Sequence, residues 1–248
     1  MADPLRFTVL DHISLTVANP QRALDFYTGV FGAELRQESG SEHFYVRLGS
    51  SYLVLGQVAE GRRAGYIDHF CAGCEGVFQK PVEERLKEIK VQYTTPPPFG
   101  IFFNGPDGVP IELWMGDSWL DVARTAPIVS RPMSGPRLFE PIRVANVNVG
   151  VPNVAGASPY YDQLFPEAIT TISGPNRTVT YTIGKSTLTL RPALEGAAIE
   201  SVGILVRDIP TGISVKLRSL GATVDSAQAN KRINFQDPDG VRISVIAE

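Results

Sequence analysis

The sequence predicts an α+β fold made of two tandem, similar halves. Its first support is internal repetition. PDGVPIEL (Pro106–Leu113) aligns with PDGVRISV (Pro238–Val245) at an offset of 132 residues, and IDHFCAG (Ile67–Gly73) aligns with IESVGIL (Ile199–Leu205) at the same offset. DHISLTV (Asp11–Val17) aligns with ANVNVGV (Ala145–Val151) at an offset of 134. Three anchors at nearly one spacing imply duplicated architecture. The second support is a change of hydrophobic period within each half, from that of a strand to that of a helix and back. The order is strand, helix, three strands, given twice per half.

The elements follow in turn. Asp11–Val17 is the first strand. In PQRALDFYTGVFG (Pro20–Gly32), Ala23, Phe26, Tyr27 and Val30 recur at helical spacing, with Pro20 opening the helix and Gly32 closing it. Phe26, Tyr27 and Phe31 then belong to the core. Strands near Glu34–Gln37, Phe44–Leu48 and Tyr52–Gln57 come next, separated by SGSE and GSS turns. A second unit begins with the strand Ile67–Ala72, continues with the helix Val82–Ile89, whose Arg85, Lys87 and Glu88 form a solvated face, and ends with three short strands at Leu113. Ser118–Pro141, with Pro127, Pro132, Pro136 and Pro141, reads as a connector that packs across the domains. The expected domains are therefore 1–117, a connector 118–141, and 142–248.

With 43% apolar and 20% charged residues in 248, the chain can build a sizeable core. A formal charge of −3 leaves no basic stripe for nucleic acid. No run approaches the roughly 18–20 apolar residues of a membrane span. MADPLRFTVLDH has no apolar signal region, and Cys71 and Cys74 are the only cysteines, so a cytoplasmic protein is expected. Cys71 and Cys74 form a CxxC after a strand, not at the helix N-terminus that would lower a thiol pKa. A small buried Cys beside the site is the reading preferred here.

The chemistry-bearing residues are His12, His69 and Glu112, each inside a short apolar run. Two imidazoles and a carboxylate on rigid strands form a facial metal site with open positions, whereas a structural zinc site is closed by a fourth protein ligand. A lone strand histidine is more often a satisfied core or surface residue. Three such ligand types, each on its own strand, outweigh that reading. Side chains two apart share a strand face. Ser14 and Thr16 therefore accompany His12, Cys71 accompanies His69, and Pro110 and Trp114 accompany Glu112. Ser14, Cys71, Trp114 and Phe102 are the expected substrate contacts. His43 and Tyr52 are the candidate acid/base groups, with Tyr45 and Arg47 on a nearby strand.

DHISLTV…ALDFYTGVFG…IDHF…PDGVPIELW resembles the vicinal oxygen chelate superfamily. That superfamily includes glyoxalase I, extradiol dioxygenases, fosfomycin-resistance enzymes and bleomycin-binding proteins. The resemblance is specific in residues 8–116 and rests on topology and the PDG turn in residues 142–248. It implies two tandem domains, each pairing βαβββ units into a cupped mixed sheet, with a metal in the cup. It places His12, His69 and Glu112 at family ligand positions. The fourth family position falls near Tyr52–Leu55, where no carboxylate or amide stands, with Gln57 just beyond. Three ligands resemble the oxygenase branch, whereas lyases and epimerases of the family use four. The chain departs from the extradiol pattern at Phe102 and Phe103, where those enzymes carry a Tyr, and at Tyr93, where they carry a His.

In the second half, His12 maps to Asn146, His69 to Ser201 and Glu112 to Ser244, so that domain is expected to keep the fold without the metal. The resemblance implies a metal-dependent enzyme. The leading expectation is an Fe(II)-type dioxygenase whose small oxygenated substrate, aromatic or not, chelates the ion. The alternatives are a non-redox isomerase or lyase using Mn, Ni, Zn or Co, and a small-molecule binding or resistance protein. A monomer or homodimer is expected, acting on a small-molecule substrate without nucleic acid or membrane.

Overall fold

The computed structural model describes residues 6–32, 35–37, 43–74, 79–95, 100–115, 137–174, 177–193 and 196–248. The SGSE turn, residues 118–136 of the connector and the Cys74 side chain lie outside them. The fold is mixed α+β, with fifteen strands and four helices among these residues.

Four modules run in sequence. The first is β1 (Val9–Val17), α1 (Pro20–Phe31), β2 (Leu35–Gln37), β3 (Phe44–Leu48) and β4 (Ser51–Gln57). The second is β5 (Tyr66–Cys74), α2 (Gln79–Glu88), β6 (Gly100–Asn104) and β7 (Pro110–Met115). The third is β8 (Pro141–Val151), α3 (Val154–Leu164), β9 (Ile169–Ser173), β10 (Thr178–Ile183) and β11 (Ser186–Pro192). The fourth is β12 (Ala198–Val206), α4 (Ile213–Ser219), β13 (Thr223–Gln228), β14 (Arg232–Gln236) and β15 (Arg242–Ala247). The first and last strands of every module pair in parallel. The later strands pair antiparallel. A parallel pair needs a long crossover, which the module helix supplies.

Among the described residues the second module shows two strands after its helix, and Thr94 makes an isolated antiparallel bridge to Phe102. Arg85, expected on a solvated face, is half-buried and donates to the Gln163 carbonyl at 3.1 Å.

The chain divides into two compact units, each drawing on both halves. One comprises residues 1–11, 69–121 and 146–200. There α3 starts at Asn153, whose side chain accepts from Gly156 N at 3.0 Å, an N-cap that satisfies an orphan amide. The helix buries Ala157, Ser158, Tyr161 and Leu164, and Phe165 just beyond it meets Phe7 edge-on at 4.8 Å.

The other unit comprises residues 12–68, 122–145 and 201–248. There α1 is capped by Asn19, which accepts from Arg22 N at 3.0 Å, and opened by Pro20. Gly32 closes it at φ 59°, and a Cβ at Gly32 would stand 2.4 Å from the Arg137 Cβ. Both the turn and the close approach therefore require glycine. Phe26, Tyr27 and Phe31 are buried as expected. The end of the connector packs here. Leu138 N and Phe139 N both donate to Val30 O, and Phe139 lies 6.1 Å from Phe31.

The buried Tyr27 hydroxyl donates to Asp237 Oδ2 at 2.7 Å. Asp237 Oδ1 accepts from Asp239 N at 2.9 Å and Val241 N at 2.8 Å. Asp239 in turn accepts from Ala18 N at 3.0 Å and pairs with Arg22. One acidic turn thus clamps the N-terminal end of α1. Burial, the largest influence, raises the Asp237 carboxyl above its usual range, opposed by the Tyr27 hydroxyl and the two amides. The folded state therefore holds this proton more tightly than the unfolded chain. The group's contribution to stability is complete below the unfolded value of about 3.9 and is lost as pH rises through the folded value.

Asp237→Ala strands a buried hydroxyl and two amides and should lower unfolding free energy by about 2–3 kcal/mol. Asp237→Asn should cost less and remove this group's loss of stability above pH about 4. Urea melts of the three proteins across pH check both outcomes.

Candidate metal centre

The site begins with strand alternation in the second module. In the β5–β7 register Cys71 stands opposite Glu112 and Gly73 opposite Trp114. In the β6–β7 register Phe102 stands opposite Glu112, Gly100 opposite Trp114 and Asn104 opposite Pro110. Residues two apart share a face, so His69, Cys71, Pro110, Glu112, Trp114, Gly100 and Phe102 occupy one face of this ladder. The other face carries the apolar residues Phe70, Ala72, Ile101, Phe103, Ile111 and Leu113, which hold the ladder in the core.

His69 Nε2 lies 3.1 Å from Glu112 Oε2, with side chains 13% and 6% exposed. The pair is therefore largely removed from water, where electrostatic interactions are strengthened. The Phe102 ring packs edge-on to His69, with centroids 5.3 Å apart. Gly100 leaves room for the carboxylate, because a Cβ there would stand 2.5 Å from Glu112 Oε1 and 2.9 Å from Phe102 Cε2. His12 is buried. With the His69 imidazole and the Glu112 carboxylate, its imidazole makes up a donor set of the kind that suits a divalent first-row ion.

Cys71 is fully buried and not in a disulfide. Sequence reading missed Gly100, since its role depends on where the Glu112 carboxylate lies.

The other expected residues divide by distance. Tyr52 is the register partner of His12 across β1–β4, and Ser14 pairs with Val54. Tyr52 and Ser14 are both buried. His43 instead lies over Gly56, with Nε2 3.1 Å from where a Gly56 Cβ would be. Gly56 stands opposite Thr16, four residues along β1 from His12, or about 13 Å at strand rise. Tyr52 thus stands beside His12, and His43 lies farther along the same face of that ladder. In the second half the residues corresponding to the three ligands are Asn146, Ser201 and Ser244.

Residues 9–113 match the family model of the Glyoxalase/Bleomycin resistance protein/Dioxygenase superfamily. That part of the first half is thus similar to the superfamily. The whole chain is similar in fold to catechol 2,3-dioxygenase, with a TM-score of 0.73 at 15% identity, covering 98% of this chain and 89% of that one. It is similar to the 2,3-dioxygenase LapB from Pseudomonas sp. KL28, with a TM-score of 0.69 at 14% identity, covering 98% and 93%. It is also similar to a variant of homoprotocatechuate 2,3-dioxygenase from Brevibacterium fuscum, with a TM-score of 0.72 at 14% identity, covering 100% and 73%. No curated protein matches the sequence significantly. No helix among the described residues is long and apolar enough to cross a membrane.

Gly100→Ala should push the Glu112 carboxylate aside without removing any ligand. It is expected to weaken divalent-ion affinity by about 10–100-fold, the range seen when a supporting contact at a metal ligand is lost. Calorimetric titration with Co(II), alongside a thermal melt, measures the effect.

Proposed function

We propose that this protein is a metal-dependent dioxygenase acting on a small oxygenated, aromatic-type substrate, with Fe(II) as its metal. The observation that carries this reading is the largely buried His69–Glu112 pair, 3.1 Å apart, on the ladder face that also carries Cys71 and Trp114. The fold shared with solved 2,3-dioxygenases adds support. When bound, Fe(II) would supply Lewis acidity toward a chelating substrate and a redox partner for dioxygen.

The chain's own residues do the rest. His12, His69 and Glu112 would hold the ion from three strands. Phe102 fixes the His69 ring by edge contact, and Gly100 admits the Glu112 carboxylate. Buried Cys71 and Trp114 share the ligand face and would wall the substrate off from water. Tyr52, beside His12 in register, is the acid/base group placed to exchange a proton with a substrate there. His43, over Gly56 on the same face, is the other candidate for that role. Residues 142–248 carry no matching ligand set and serve as a degenerate, metal-free partner domain.

A second reading is a non-redox isomerase or lyase using another divalent ion. One observation favours it: buried Cys71 stands opposite Glu112 on the ligand face, a further donor of the kind a four-ligand site would need.

Reconstitution without oxygen, followed by oxygen-uptake assays over a panel of catechols and hydroxy-ketones, separates the two. The expected outcome is uptake that requires Fe(II). His69→Ala and Glu112→Ala should each lower metal affinity by at least about 100-fold, beyond the effect of losing a supporting contact. Turnover under nitrogen with a redox-silent ion would select the second reading, and no metal-dependent oxygen consumption would reject the first.

A further inference from the structure

A β-sheet ends at strands whose outer backbone groups have no neighbouring strand, and folded proteins blunt such edges with short strands, charges, bulges or cover. Among the described residues, β2, β6, β9 and β13 each pair with a named strand on one side only. Three of them carry such a device. β2 is three residues long with Arg36 at its centre. β6 is bridged on its outer side by Thr94. β13 holds Asp225 and a register shift between Val224 and Ser226.

The remaining edge, β9, carries none. Its sequence ITTIS has no charge and no proline, and it pairs with β10 over five positions without a shift. Isoleucine and threonine are strand formers that favour a paired, half-covered surface. Here all five residues are exposed, Ile169 at 72% and Ile172 at 59%. Ile172 stands opposite buried Val179, so the apolar side of this ladder runs out to the edge and stops there uncovered. Pro166 and Pro175 bracket the strand in sequence. Lacking amide hydrogens, they confine further pairing to the stretch between them.

An open edge of this kind accepts an extended segment through main-chain hydrogen bonds. The segment that suits it is β9 itself. An antiparallel pair of β9 strands about a twofold axis at Thr171 sets Thr171 of the two copies opposite each other. It also sets Ile169 opposite Ser173 and Thr170 opposite Ile172. Thr171 already ends a row of threonines. It stands opposite Thr180, and Thr180 opposite Thr189, with the last two hydroxyls 3.2 Å apart. The twofold continues that row into the second copy, where opposed threonines are a favourable pair. On the other face the two Ile172 side chains become diagonal neighbours within reach of one another. Charge agrees with this pairing. Glu167 precedes the strand and Arg177 follows it, both exposed. Antiparallel pairing brings each Glu167 to the strand end where the second copy carries Arg177.

We infer that β9 is a dimerisation edge, at which two copies of this chain join by antiparallel β9–β9 pairing centred on Thr171. Such an interface presents the same patch from both copies, as a closed twofold dimer requires. Its short length puts the dimer in the weak, concentration-dependent class. The inference needs no metal and stands apart from the proposed oxygen chemistry.

Sedimentation velocity of the full chain over a concentration series is the test. A monomer–dimer equilibrium with a micromolar Kd is expected. Deuterium uptake should show amides of Ile169–Ser173 more protected at high protein concentration than at low. Thr171→Lys and Thr171→Glu each set like charges against one another across the twofold and should each weaken association at least about tenfold. Their melting temperatures should match wild type, because the position is exposed. An equimolar mixture of the two variants should recover the dimer, since lysine then faces glutamate. A wild type that stays monomeric up to roughly 300 µM, well above a micromolar Kd, overturns the inference. So does a dimer that Thr171→Lys, folded as wild type by its melt, leaves unweakened. A mixture of the two variants that stays monomeric overturns it as well.

Discussion

Parallel pairing of the first and last strand within each module governs how the chemistry is assembled. His69 and Glu112 are 43 residues apart in sequence, yet β5 and β7 lie side by side with Cys71 opposite Glu112. Once that register is set, strand alternation leaves no freedom about which side chains share a face. A slip of one residue would send Glu112 and Trp114 to the apolar side and bring Ile111 and Leu113 to the ligand side. Burying Phe70, Ala72, Ile111 and Leu113 is therefore what fixes the ligands' positions. The carboxylate and imidazole face each other because the hydrophobic half of the same strands has no other place to go.

The same rule, applied in the other modules, shows what is general and what is particular. All four modules keep the parallel first-to-last pair. The second carries His69 and Glu112 on that pair, and the first carries His12 opposite Tyr52. Asn146, Ser201 and Ser244 stand at the corresponding places of the second half, so the same pairing is built there with other side chains. Fold and site are thus separable in this chain, and functional statements belong to the residues, not to the topology.

Much of this was legible before any coordinates. The offsets of 132 and 134 residues in the sequence foretold the repeated modules, and period-two patterning foretold which neighbours accompany His69 and Glu112. Local signals fixed α1 well, because Asn19, Pro20 and Gly32 punctuate it. What was not legible depended on distances across the fold. His43 lies over Gly56 because the β3–β4 pairing sets Phe44 opposite Leu55. Gly100 could not be read as a cradle for Glu112 until the two strands were side by side. Interleaving of the halves into compact units is likewise a property of contacts far apart in sequence, which no window of residues reports.

Tyr27 on α1 and Tyr161 on α3 correspond at the 134-residue offset and show how duplicated packing can diverge in chemistry while conserving shape. Tyr27 finds Asp237 beneath it. At the 132-residue offset Asp237 corresponds to Gly105, and a Cβ at Gly105 would stand 3.1 Å from the Tyr161 hydroxyl. The turn itself is unchanged: Gly105 N donates to Val109 O at 2.8 Å just as Asp237 N donates to Val241 O at 2.9 Å. Loss of one carboxylate therefore left the backbone intact and stranded the Tyr161 hydroxyl, which has no hydrogen-bond partner among the described residues. An aspartate in one copy stabilises a helix end, and its replacement by glycine in the other leaves a tyrosine hydroxyl without that acceptor. Duplication supplies spare copies of a structural clamp, and the copy freed from that duty is the one in which unsatisfied polar groups accumulate.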